Sequence, residues 1–237
     1  MNILVRKKIL YYILGIVAIV AICMLAPLRI INGAEFSVWN AIWKLPREIL
    51  NTCTVQDTFD SGIANWTYIL MPLIASIPFA SCLTDEIQSK FYLYIEGRKG
   101  KDSYICSKFF QNIISAGSIA LLGLGIFVTI IVLIFPINPI YKNIDTSGLP
   151  KMSAGGLTEY IIVNLIHLLL YVISVSLFVS LLVLIYQNLY FDFSVVFILS
   201  DILKDFYMQI NIIYFMVFIV IMFILHRIVW KIRGEKI

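Results

Sequence analysis

Six continuous apolar stretches, at about residues 9–27, 68–84, 110–136, 159–186, 190–204 and 212–230, occupy most of a 237-residue chain. A helix needs roughly 20 apolar residues to cross the hydrocarbon core of a bilayer. Five of the stretches meet that demand. The fifth in chain order, Phe191 to Leu203, offers only about 13 residues, or about 20 Å of helix, against a core of about 30 Å. Strands of a membrane barrel would alternate apolar and polar residues, whereas these runs are continuously apolar, so helices are the way left to satisfy the backbone in lipid. With 61% hydrophobic and 14% charged residues and a mean hydropathy of +0.94, the chain has too little polar surface for a water-soluble globule. The expected architecture is a single all-α polytopic membrane domain over residues 1–237 with six transmembrane helices.

The first apolar run ends in Ala26-Pro27-Leu28-Arg29 without a small-residue cleavage site, so it reads as a membrane helix and not as a signal peptide. Basic residues then set the orientation. Arg6, Lys7 and Lys8 precede the first span; Lys90, Arg98, Lys99, Lys101 and Lys108 lie between the second and third; Arg227, Lys231, Arg233 and Lys236 close the last. These are twelve of the 18 Lys and Arg residues, and they fall on one side only if an even number of helices crosses. By the positive-inside rule that side is cytoplasmic, which places both termini in the cytoplasm and the protein in the cell membrane. The net charge of +4 is therefore a topological signal and gives no reason to expect nucleic-acid binding.

No enzyme signature is present. The chain lacks a Gly-rich phosphate loop ending in Lys-Ser or Lys-Thr, so it has no ATPase machinery of the usual kind. Its two histidines, His167 and His226, have no second ligand at metal spacing, and each reads as a partner for a neighbouring helix. Ser76, Ser174, Ser176 and Ser180 read as helix-packing residues, because no Gly-x-Ser-x-Gly surrounds them. Cys23, Cys53, Cys82 and Cys106 form neither a disulfide framework nor a metal box. No bound cofactor is expected.

The connections carry what chemistry there is. In the outer loop 28–66, Phe36, Trp39, Ile42 and Trp43 share one face of a short helix ending before Pro46, which suits an interfacial anchor or an external gate. The loop 137–158, with Pro139, Gly148, Pro150, Gly155 and Gly156, reads as an irregular connector. In the segment 85–108, mixed charge and the pair Gly97 and Gly100 predict helix, turn and helix on the cytoplasmic face. Asp201, Lys204 and Asp205 lie at helical spacing, where they either pair at the outer interface or line a polar path.

The segment Met71-Pro72-Leu73-Ile74-Ala75-Ser76-Ile77-Pro78-Phe79 runs into Asp85-Glu86. A turn Gly97-Arg98-Lys99-Gly100-Lys101-Asp102-Ser103-Tyr104 follows, and then Ser107-Lys108 opens the third span. In this the chain resembles the permease subunit of type-2 ABC exporters. The resemblance implies that 85–108 is a coupling helix on which a separate ATPase pushes, with Asp85, Glu86, Arg98, Lys99, Lys101, Tyr104 and Lys108 as coupling residues. It also implies two permease copies, or one copy with a related permease, and two ATPase subunits that hold the ATP and Mg. Hydrophobic or amphipathic peptides, antibiotics and lipids are substrates of similar permeases, and a peptide or antimicrobial is the expectation here. Re-entrant half-helices after the fifth span would place Asp201 to Asn211 in a folded-back polar piece. The elongated cytoplasmic helix that often precedes the first span has only Met1 to Lys8 available. The alternative class is an ATPase-independent sensor or immunity protein that binds a ligand through the outer loop.

Overall fold

The computed structural model describes residues 2–29, 35–64, 66–138, 154–207 and 211–234. It is an all-α membrane protein apart from one three-residue hairpin. Among the described residues six helices of 19 residues or more run through it: α1 (Asn2–Leu25), α5 (Trp66–Gln88), α7 (Lys101–Ile134), α8 (Ala154–Tyr186), α9 (Leu189–Tyr207) and α10 (Ile212–Gly234). Among the described residues four of them, α5, α7, α8 and α10, are long and apolar enough to cross a membrane. In α1 the apolar part, Ile9–Leu25, is shorter, and α9 carries acidic residues at both ends.

Helices α5 and α8 form the centre, packed on one another and together touching every other long helix. A uniformly apolar helix shows its packing face through small and shape-matched residues rather than through polarity. At the crossing of α1 and α7, Gly123 lets the fully buried Ile19 approach so closely that a Cβ would sit 2.7 Å from its Cγ2. On α10 only the stripe Phe215, Met222, His226 and Trp230 is buried, spaced seven, four and four residues apart, while Val217, Val220, Ile224 and Ile228 stay exposed. Such an exposed apolar surface belongs against lipid.

At one end of the bundle the segment expected as an outer loop folds into a cap. It contains the hairpin β1 (Pro27–Arg29) and β2 (Glu35–Ser37), then α2 (Val38–Lys44), α3 (Arg47–Leu50) and α4 (Val55–Ile63). Ser37 accepts from Asn40 N to start α2, and Thr54 with Asp57 forms a complete capping box at α4. The aromatic face expected over Phe36 to Trp43 is corrected at its first residue. Phe36 pairs with Leu28 across the hairpin, because the strand gives its backbone cross-strand partners, and the helix begins only at Val38. Within the cap Cys53 is buried, and burial pushes its thiol up from the usual range.

At the opposite end α5 stops at Ser89 and at Lys90, which takes the left-handed conformation. The short helix α6 (Phe91–Lys99) follows, and Gly100, at φ +82°, turns the chain into α7. That left-handed corner is where glycine is needed. The expected helix, turn and helix are all present. α7, at 34 residues, is about 51 Å long, so its first turns stand beyond the apolar slab.

Helix α9 runs without a break to Tyr207, so Asp201 extends that helix rather than opening a folded-back turn. It is exposed and lines a groove at the cap end with Ile22, Leu25, Pro27, Trp66 and Thr67. The side chains of Lys204 and Asp205, and most of the connector 137–158, lie outside the described residues.

Candidate functional site

Glu86 sits half-buried in the last turn of α5, where α6 turns away. Two residues one turn apart on α7 reach it: Tyr104 Oη donates to Oε2 at 2.8 Å, and Lys108 Nζ donates to Oε1 at 2.5 Å. Lys108 also lies 5.5 Å from the centre of the Tyr104 ring. One carboxylate thus accepts from both, tying the two helices that carry α6 between them. Of the residues expected to couple, Glu86, Tyr104 and Lys108 form this one cluster. Asp85 is exposed beside it. Arg98, Lys99 and Lys101 stand at the far end of α6, with the Arg98 guanidinium 5.2 Å above the Tyr94 ring.

The other anchor of α6 is Trp230 on α10. Its ring lies edge-on to Tyr92 at 5.6 Å and tilted on Tyr104 at 5.3 Å, and its Nε1 donates to Glu96 Oε1. Nearby, Arg227 pairs with Asp102 at 2.8 Å, and Lys101 Nζ donates to the Lys231 carbonyl at 3.5 Å. These contacts are unequal. Trp230 is 4% exposed and covers aromatic rings on two elements, whereas the Arg227 and Asp102 side chains are 51% and 77% exposed, a setting in which an ion pair contributes about 0–1 kcal/mol. Burial of the indole therefore holds α6 to α10. The outward face of α6 carries Phe91 and Tyr94, stacked at 5.9 Å and both more than half exposed.

Beside α6 a polar chain crosses the apolar bundle. Ser176 Oγ on α8 donates to Asn112 Oδ1 on α7 at 2.7 Å. The Asn112 amide donates to the Ser176 carbonyl at 3.1 Å and to Ser180 Oγ at 3.0 Å. Ser180 Oγ lies 2.8 Å from His226 Nε2 on α10, and His226 Nδ1 lies 2.7 Å from the Met222 carbonyl. With the ring proton on Nδ1, His226 donates to Met222 and its Nε2 is an acceptor for Ser180 Oγ, whose one proton is shared with the Leu177 carbonyl at 2.8 Å, while Asn112 donates to both serines' residues. His226 thus bonds a neighbouring helix, as expected of a single intramembrane histidine, while among the described residues His167 meets the Val163 carbonyl of its own helix. Ser180, His226, Lys108, Tyr104 and Trp230 share one small pocket, so the polar chain abuts the residues that hold α6.

At the cap end, Trp39 and Trp43 are exposed with ring centres 5.7 Å apart, and Trp39 overhangs an apolar groove between α1 and α7. The cap is tied down by Tyr160 of α8, whose hydroxyl donates to Asp60 Oδ1 at 2.8 Å. Burial raises the Asp60 carboxyl above the ordinary range, outweighing the Tyr160 hydrogen bond that lowers it. A carboxyl raised by folding binds its proton more tightly in the folded cap. Its contribution to stability is therefore full below the ordinary carboxyl range and falls as pH rises through the raised value. Asp60→Asn is expected to remove that slope from the thermal stability of the cap, followed by Trp39 and Trp43 fluorescence across pH.

Trp230, Tyr92, Glu96 and Asn112 were not singled out by sequence. The spacing Met222, His226, Trp230 was legible, but a Trp among Lys and Arg at the end of a span reads first as an interfacial anchor. Among the described residues no group of His, Cys, Asp and Glu is placed to hold a metal ion. No family model, curated protein or solved structure matches the chain.

Proposed function

We propose that this chain is the membrane subunit of an ATP-driven exporter, in which α6 is the lever that a separate ATPase moves. The observation that carries the proposal is the mounting of α6. It stands outside the apolar slab on two rigid arms, is fixed at its base by Glu86, Tyr104 and Lys108 and at its side by Trp230, and offers the exposed Phe91, Tyr94, Arg98 and Lys99 outward. A short helix held this firmly transmits force to α5, α7 and α10 at once. In this reading all six long helices cross the membrane, α6 and both termini lie in the cytoplasm, and the cap is outside. ATP and Mg sit on the partner, and a second permease copy or a related permease completes the path. The cargo class is a hydrophobic or amphipathic molecule, a peptide or antimicrobial first.

Co-purification from native membranes tests this. An ATPase is expected to accompany the wild-type chain, and Arg98→Ala, Lys99→Ala and Lys101→Ala together are expected to weaken that association at least about tenfold, or roughly 1.4 kcal/mol. The absence of any ATPase under conditions that preserve other complexes would sink the proposal. A second reading is favoured by the exposed Trp39 and Trp43 pair: an ATPase-independent sensor or immunity protein that binds its ligand at the cap. It predicts that the triple variant keeps full function while Trp39→Ala with Trp43→Ala loses it.

A further inference from the structure

Asp192 lies in the first turns of α9 between Phe191 and Phe193, with no exposed surface, and neither carboxyl oxygen has a hydrogen-bond partner among the described residues. It begins a buried stripe, Asp192, Val196 and Ser200, that repeats every four residues on the face α9 turns to the bundle. Among the described residues α9 packs chiefly on α5 and α8, and neither of these helices contains a Lys or Arg. The titratable groups on α5 are Tyr68, Cys82, Asp85 and Glu86; those on α8 are Glu159, Tyr160, His167, Tyr171 and Tyr186. Glu86 is engaged by Tyr104 and Lys108, Asp85 is exposed, and Tyr186 packs its ring on Phe191 at 4.9 Å. Glu159 and Tyr160 belong to the cap end, and His167 meets the Val163 carbonyl.

A carboxylate removed from water without a cation or a donor is strongly disfavoured, and the group neutralises instead. No cation on α5 or α8 is available to neutralise it, so the group that neutralises the carboxylate is a proton. We propose that Asp192 is a proton-binding site: an uncharged acid while α9 is docked on α5 and α8, ionising only when α9 moves off them and admits water. Docking of α9 and protonation of Asp192 are then one equilibrium, and each excursion of α9 releases and retakes a proton. This stands independently of the exporter reading, because it uses no contact of α6.

The test compares thermal stability of the full chain in detergent from about pH 5 to about pH 9, which spans the ordinary carboxyl range and well above it. Asp60→Asn is present in both proteins so that the cap carboxyl does not contribute. The parent is expected to lose stability as pH rises, because the docked state holds the proton more tightly than the unfolded chain. Asp192→Asn is expected to show a shallower fall than the parent and to exceed it at the alkaline end by about 3 °C or more. Equal pH slopes in the two proteins, whatever their absolute stability, overturn the proposal. Should Asp192→Asn not fold, Asp192→Ser, a smaller uncharged replacement, decides by the same pH comparison. A shallower slope in Asp192→Ser than in the parent supports the site, and a slope equal to the parent's overturns it.

Discussion

Trp230→Ala is expected to detach α6 from α10 while leaving the spans assembled. The indole is almost wholly enclosed by Tyr92 and Tyr104 and donates to Glu96, so its removal opens a void and strands a half-buried carboxylate. Truncation of an enclosed Trp costs about 3–5 kcal/mol, and here that loss falls on the junction and not on the central pair α5 and α8. Amide hydrogen exchange should therefore rise by at least about tenfold over Phe91 to Gly100, the factor that 1.4 kcal/mol gives, with α5 and α8 unchanged. Trp230→Phe keeps most of the ring contact but loses the bond to Glu96, so its effect is smaller. Arg227→Ala should hardly register, since the ion pair it breaks is open to water. Unchanged exchange in α6 after Trp230→Ala would show that α6 is held from its base alone.

Replacing Gly123 with leucine is expected to part α1 from α7 and to cost more than any other single small-to-large change at that crossing. Even a Cβ would lie 2.7 Å from Ile19 Cγ2 and 2.9 Å from Ile19 Cβ, with the Ile16 carbonyl at 3.5 Å. Ile19 has no free space to turn into, because it is fully buried, so the backbone of α1 must shift. Gly123→Ala should cost about 1–3 kcal/mol by overpacking, and the leucine more. Gly125, two residues on along the same helix, is the control. A Cβ there meets nothing within 4 Å, so Gly125→Ala should be neutral or gain about 0.5–1 kcal/mol from helix propensity. Thermal stability in detergent, read beside monodispersity, separates the two. Equal effects at the two glycines would refute the close crossing of α1 and α7.

How far the candidate site was legible depended on whether a residue acts along the chain or across it. Glu86, Tyr104 and Lys108 were singled out through the resemblance to exporter permeases, carried by a charged turn between two apolar runs whose residues are neighbours in the chain. The cap was only half legible. Its Trp39 and Trp43 share a helix face as their spacing required, but Phe36 was claimed by a hairpin whose three-residue strands are too short to leave a period-2 pattern.

The sequence by itself determined the apolar segments, the corner at Gly100 and the place of the charged turn before α7, since the length of an apolar run and the conformational freedom of glycine are properties of adjacent residues. Only the tertiary structure decided which face of each helix is inward. In a helix that is apolar all round, polarity gives no direction, and the choice falls to complementary shape and to the few polar groups that must find each other. Gly123 against Ile19, Trp230 against Tyr92 and Tyr104, and Asn112 between Ser176 and Ser180 are contacts between distant parts of the chain. Asp192 shows the same division most plainly. In sequence it is one acidic residue between two phenylalanines, and only the packing of α9 against two helices without a cation makes it a buried acid.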